Sequence, residues 1–300
     1  MGLKIIWALL SIMLVTFLLA IYWFVPITTT EFKRVLSSQD INKTNETGAQ
    51  FYNNMRFPDS RISYKIDNCP LKKKDDMLRA FGIISERTIL RFYESDNEEI
   101  FVTCDSRNKI EGNLFIAGEG GPTNITQSGD FNVITDGKIL LIKESSCPNP
   151  NIAIHELFHV LGFGHSENEE DIMYSVTSCN QEINPNTLKL INSLYSIPGY
   201  SDLSFEDASA VMRGKYLNVN MSVRNIGLRN SVSSKIDIYS DDKLIKEMDL
   251  EPLDIGHGRV ISLTNLWVAK INTEKIILRV KYSLDELKKD NNELVLEIKK

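Results

Sequence analysis

Histidine is scarce in this chain, with four residues in 300, so a site that needs several imidazoles must draw on nearly the whole supply. Three of the four fall between positions 155 and 165. Cysteine is equally sparse: Cys69, Cys104, Cys147 and Cys179 form an even set, and none stands in a CxxC spacing. That excludes a CxxC redox or zinc-ribbon motif and leaves two readings open, a pair of disulfides or four buried thiols. An excess of positive charge is also missing, because 34 Lys plus Arg face 40 Asp plus Glu for a net charge of -6. A dedicated nucleic-acid binder needs clustered cations for phosphate contacts, so nucleic acid is excluded as a partner. Low-complexity bias is absent too: 42% hydrophobic and 25% charged residues are ordinary for globular domains, and 300 residues suffice for about two of them.

The amino terminus carries the one long apolar run. Ile5 to Val25 contains no charged residue, and 21 residues at ~1.5 Å each make about 31 Å of helix, enough for a bilayer core. A transmembrane signal-anchor over 1–26 is therefore expected, which makes the membrane a partner and the cell membrane the location. Lys4 before the span and Lys33 and Arg34 after it do not orient it decisively. The cysteine set and the sequons at Asn42, Asn45, Asn124 and Asn220 place the body outside the cell, as a secreted form if the anchor is cleaved. Residues 27–60, rich in Asn, Thr, Ser and Gln, read as a polar stalk.

Beyond residue 60 the pattern is α+β. Arg61–Ile66 alternates as a strand, Met77, Phe81, Ile84 and Thr88 recur at helical spacing, and strands fit Ile89–Tyr93, Ile100–Cys104 and Lys138–Lys143. A helix starts at Asn149-Pro150 and runs toward Leu161, and another starts at Asn184-Pro185. Together these predict a mixed twisted sheet with helices over 61–197. After a linker at 198–201 the period changes to two, with runs near 216–223, 235–239, 260–263, 276–282 and 294–298. An antiparallel β-sandwich over 202–300 is expected, with Trp267 in its core.

The second helix carries His155-Glu-Leu-Phe-His-Val-Leu-Gly-Phe-Gly-His165. Residues four apart share a helix face, so His155 and His159 can direct two imidazole nitrogens at one metal. Gly162 permits the positive φ that ends the helix, and the returning chain brings His165 as a third ligand. Three imidazoles with one position open is the arrangement of catalytic zinc. Glu156, displaced around the helix, is placed to reach water rather than metal. His257, between Gly256 and Gly258, reads as an exposed turn histidine.

The HExxHxxGxxH run, with Asp171-Ile-Met-Tyr-Ser175 following it so that Met173 lies eight residues beyond His165, resembles the metzincin zinc metalloproteases and most of all their matrixin branch. The resemblance implies one catalytic Zn²⁺ on His155, His159 and His165, with Met173 in a methionine turn beneath it. It implies that Glu156 takes a proton from zinc-activated water and passes it to the leaving amine of a polypeptide substrate. It also implies substrate contacts at Tyr174 and on an edge strand, Asn113–Ala117, through Leu114 and Phe115, which fit sheet core equally well. The topology of that family implies the pairs Cys69–Cys104 and Cys147–Cys179. No second zinc and no cysteine switch are expected, because no further clustered histidine and no cysteine before Arg61 exist. The acidic run Glu167, Glu169, Glu170 and Asp171 admits calcium, though a solvated loop is the simpler reading. Residues 202–299 resemble the CARDB-type immunoglobulin-like modules, through Val223-Arg-Asn-Ile-Gly227 and Asp285–Glu293, which implies a possible cell-surface partner. The expected activity is a membrane-anchored extracellular zinc endopeptidase; the alternative is a non-catalytic surface adhesion or peptide-binding protein.

Overall fold

The structure is a computed structural model that describes residues 2–24, 29–34, 49–106, 109–111, 114–270 and 272–298, without the side chains of 2–5, 20–24, 109–111 and 114–115. Helix α1 (Gly2–Phe24) begins the chain. Among the described residues no helix is long and apolar enough to cross a membrane. The transmembrane anchor and the single-pass membrane location are therefore corrected. Of the four sequons, those at Asn42 and Asn45 lie outside the described residues.

The stretch expected as a stalk supplies two strands instead, β1 (Thr29–Arg34) and β2 (Met55–Arg56). From β2 onward the chain builds a mixed sheet with β3 (Arg61–Ile66), β4 (Arg91–Glu94) and β5 (Ile100–Cys104), between which runs helix α2 (Leu71–Arg87). Next come a two-stranded pair, β6 (Lys109–Glu111) and β7 (Leu114–Ile116), and a long hairpin, β8 (Gly118–Ser128) and β9 (Phe131–Leu141). The order is β2-β9-β5-β3-β4, all parallel, with β8 added antiparallel on β9. On α2, Met77, Ala80, Phe81 and Ile84 recur at spacings of three and four and are all buried against this sheet. Each large one is worth roughly 1.5–3 kcal/mol of burial. Thr88 ends the helix by returning both its N–H and its hydroxyl to the Ile84 carbonyl, at 3.0 and 2.7 Å.

Helix α3 (Asn151–Val160) is apolar nearly all round because it is enclosed, with α2 beside it and β8 across it. Helix α4 (Pro185–Ser196) starts at Asn184, whose side-chain oxygen accepts from Asn186 N–H at 2.9 Å, with proline at the first helical position. The structure contains the disulfides Cys69–Cys104 and Cys147–Cys179, with Cα separations of 4.9 and 5.1 Å.

The C-terminal half holds β10 (Leu203–Arg213), β11 (Tyr216–Asn225), β12 (Ser234–Ser240), β13 (Lys243–Leu250), β14 (Gly258–Trp267), β15 (Lys275–Lys281) and β16 (Glu293–Ile298). The expected two-layer sandwich is corrected to one continuous, barrel-like antiparallel sheet of order β13-β12-β15-β16-β1-β10-β11-β14. The reason is β1: Phe32, fully buried, pairs with Ala210 on one side and Ile298 on the other, filling the seam where two sheets would part. Trp267 is also corrected, since it closes β14, a strand at the end of the sheet order, and is 59% exposed rather than core.

Candidate metal centre

His155 and His159 lie one turn apart on α3, and both rings are buried. The chain then reverses at Gly162, whose φ of 95° is open to glycine at little cost. His155 Nδ1 stands 2.7 Å from the Ile172 carbonyl and His159 Nδ1 stands 2.8 Å from the Phe163 carbonyl. A carbonyl only accepts, so each Nδ1 carries the proton and each Nε2 is left with a lone pair. The Nε2 atom of His159 lies 3.0 Å from that of His155 and 3.1 Å from that of His165.

Those distances test the fit of a metal. Unprotonated nitrogens at such range repel unless a cation lies among them, and zinc–nitrogen bonds of about 2.0–2.1 Å at tetrahedral angles set nitrogens roughly 3.3 Å apart. The ligand atoms of all three histidines lie within 4.8 Å of one another, and among the described residues no other group of three or more His, Cys, Asp or Glu meets that test. Electrostatics agree with the geometry. Burial pushes His159 down to about 4, helped by His155, and burial lowers His155 as well. Both imidazoles are neutral at pH 7 and ready to donate their lone pairs. Zinc therefore fits this donor set.

Glu156 is 5% exposed and faces β8 rather than the imidazole cluster. Burial pushes its carboxyl up to about 8, with a smaller push from Glu119, while a backbone hydrogen bond from Gly120 opposes them. Opposite charge nearby favours the ionised form, so a dication bound by the imidazoles would draw the Glu156 carboxyl back down. The strand must be glycine here. A Cβ on Gly118 would stand 2.8 Å from the Glu156 side chain, and one on Gly120 would run into its backbone.

Met173 is buried, and the turn that contains it performs two visible tasks. It delivers the Ile172 carbonyl to His155, and its Met173 carbonyl accepts from Ser166 N–H at 2.8 Å, next to His165. Asp171, expected among possible calcium ligands, is buried and committed to the turn: its carboxylate accepts from Met173 N–H at 3.0 Å and from the Asn184 amide at 3.1 Å. A cavity of about 770 Å³ opens over the three histidines and Glu156. One wall is Ile116 to Gly120; the other combines Ser145 to Cys147 with Ser175 to Cys179, so the Cys147–Cys179 disulfide sits in the wall itself. Asn151 and Gln181, both buried, hold the second wall through bonds to the Ser178 and Val176 backbone.

Tyr174 does not line that cavity; its hydroxyl faces Glu169 at 3.5 Å. Leu114 and Phe115 belong to β7, which pairs with β6, and their side chains lie outside the described residues, as does Asn113 altogether. The strand along the site is β8. Gly118 and Gly120 do not stand out in the sequence, because a glycine-rich run carries the same signature whether it serves a loop or the close approach of a helix.

Residues 56–196 match the family model described as Matrixin, and residues 201–295 match the one described as CARDB. No curated protein matches the chain. Among solved structures, the chain is similar to the crystal structure of the CARDB domain of a Pyrococcus furiosus protein in complex with di-metal ions, at 20% identity, covering 33% of this chain and 88% of that one, with a TM-score of 0.27.

Proposed function

We propose that the chain is a zinc-dependent endopeptidase acting on polypeptide substrates, a reading supported by the match of residues 56–196 to the Matrixin family model beside the match of residues 201–295 to the CARDB model. The observation that carries the reading is the convergence of three Nε2 atoms, two of them fixed as lone-pair donors by their Nδ1 bonds, beside a buried carboxylate that is not one of them. Zinc held by His155, His159 and His165 supplies Lewis acidity, acidifying water and polarising the scissile carbonyl. Glu156 then acts as general base, taking a proton from the attacking water at its carboxylate and delivering it to the leaving nitrogen. The Gly120 N–H holds that carboxylate in register. Strand β8 pairs only with β9 among the described residues, so its other edge offers backbone donors and acceptors to an extended substrate. A purely peptide-binding role would leave the buried Glu156 without a task.

The test is cleavage of unfolded casein by the purified chain with and without a chelator, together with Glu156→Gln. The variant should keep its zinc, measured as metal per chain, and lose roughly 10²–10⁴ or more in activity. Chelator-insensitive cleavage, or full activity in the zinc-loaded variant, would sink the reading.

A further inference from the structure

The turn that carries the third histidine is gripped by residues that precede the matrixin match, which begins at residue 56. Phe51 N–H donates to the Gly162 carbonyl at 2.9 Å, and Gly164 N–H donates to the Ala49 carbonyl at 3.0 Å. Between them Gln50 and Phe163 form an antiparallel bridge. Gln50 is itself tied down, because its side-chain amide donates to the Met55 carbonyl at 2.8 Å and accepts from Met55 N–H at 3.1 Å. Met55, fully buried, packs against Gly162, where a Cβ would stand 2.8 Å from its own Cβ. A short segment thus clamps both sides of the reversal between His159 and His165.

Out of this clamp the ring of Phe51 lies on the imidazole of His159, with centroids 5.9 Å apart and planes 17° from parallel. The ring also borders Gly164, where a Cβ would be 3.7 Å away. Phe51 is 47% exposed, so it is not filling a core; what it covers is the metal-site turn and one face of a ligand.

We propose that residues 49–55 form a built-in buttress of the metal site and that Phe51 is a positioning residue for His159. The inference rests on the zinc reading above. The Phe163 carbonyl restrains His159 at Nδ1 within the ring plane. Tipping of the ring out of that plane is a different motion, and a flat group stacked on the ring opposes it. The two restraints together keep Nε2 aimed at the point shared with His155 and His165. Groups that orient a metal ligand from behind are typically worth 10–100-fold in metal affinity.

The test uses the full chain. Zinc dissociation constants are measured by competition with a chromophoric chelator for the wild type, Phe51→Ala, Phe51→Leu and Phe51→Tyr, and the visible absorption of the Co²⁺-loaded proteins is compared. Phe51→Ala should bind zinc roughly 10–100-fold more weakly and shift the Co²⁺ bands, whereas Phe51→Tyr, which keeps the flat ring, should stay within about threefold of wild type with unshifted bands. Should Phe51→Ala lose its circular dichroism, Phe51→Leu, which keeps apolar bulk without the flat face, decides by the same thresholds. Zinc binding within about threefold of wild type in the folded variant lacking the ring, with unchanged Co²⁺ bands, would overturn the buttress while leaving the endopeptidase reading intact. Failure of the wild type itself to bind zinc would overturn both.

Discussion

Gly120→Ala is the smallest perturbation that separates a site built around β8 from one that merely lies near it. A Cβ on Gly120 would stand 2.9 Å from the Glu156 carbonyl carbon and 3.0 Å from its Cα, whereas ordinary contact begins at 3.4 Å. Both partners are backbone, so no side-chain rotation relieves the overlap. Either α3 slides along the sheet or β8 is pushed off it, and in both cases Glu156 moves relative to whatever β8 holds. A misplacement approaching ~1 Å at a catalytic group costs about 10² in rate, so kcat/KM should fall about a hundredfold. Overpacking at a buried contact should cost about 1–3 kcal/mol of stability as well. Gly121, the next residue, points to the opposite face of the strand and has nothing within 4 Å of its would-be Cβ. Gly121→Ala is therefore the control and should be indistinguishable from wild type. The assay is cleavage of a quenched fluorescent peptide, with zinc content and the urea midpoint measured on the same samples. Wild-type kcat/KM and midpoint in Gly120→Ala would refute the close packing of β8 on α3. Equal damage in Gly121→Ala would refute its attribution to Glu156.

Two further outcomes follow from groups outside the cleft. Asp202 is buried beside Glu286, and burial above all pushes its carboxyl from 3.8 up to about 6. Between those values the folded chain holds a proton that the unfolded chain has lost, so this group makes stability fall as pH rises from about 4 to about 6 and adds no slope above. Urea unfolding at pH 4.5 and pH 7 should show that fall in wild type and a smaller one in Asp202→Asn, whose side-chain oxygen can still accept from Asn291; an unchanged slope would count against the shift. Replacing Cys147 and Cys179 together by serine opens a loop of sequence separation 32, for which the chain-entropy model gives a loss of about 3–4 kcal/mol. An equilibrium unfolding experiment with Cys69–Cys104 intact should find a loss of that order, and a loss under ~1 kcal/mol would mean that the wall is held by Asn151 and Gln181 alone.

The parts of the site that were legible in the sequence are those fixed by short-range geometry. The i,i+4 spacing of His155 and His159 and the glycine three residues later determine a helix face and a reversal whatever surrounds them, and the structure brings His165 to the same point. What was not legible depends on partners distant in sequence. Thr29–Arg34 offers one large apolar residue, Phe32, among polar neighbours, and no local pattern says that β10 and β16 will flank it. Gly118 and Gly120 carry no mark that separates a strand yielding to a helix from a loop. Trp267 shows the converse error, since size and apolarity favour burial, but a position at the end of a terminal strand leaves the ring outside. The apolar amino-terminal run misled as well: it raised the expectation of a membrane span, and among the described residues no helix is long and apolar enough to cross a membrane.

The residues ahead of position 56 belong to neither family match, yet the fold uses them in both halves. Strand β1 closes the C-terminal sheet, and residues 49–55 close the turn of the metal site. The halves are also joined directly. The tip of the β8–β9 hairpin enters the C-terminal domain, where the buried Ser128 hydroxyl donates to the Gly227 carbonyl at 2.6 Å and a Cβ on Gly129 would stand 2.8 Å from the Ile226 oxygen. Arg229 pairs with Asp59 at 2.9 Å across the same boundary, an exposed contact worth little by itself. The fit at Ser128 and Gly129 is different in kind, because the Ser128 hydroxyl is fully buried and the approach at Gly129, itself exposed, is limited by backbone. It involves Asn225-Ile-Gly227, the run that marks the CARDB resemblance in the sequence. Asn225 spends its side chain within its own domain, donating to the Arg229 and Leu253 carbonyls and accepting from Asp202 and Gly227 N–H groups, so the turn offered to the hairpin is rigid before contact. A rigid socket on one side and the hairpin that lines the cleft on the other make the C-terminal domain part of the frame of the candidate site rather than a free appendage.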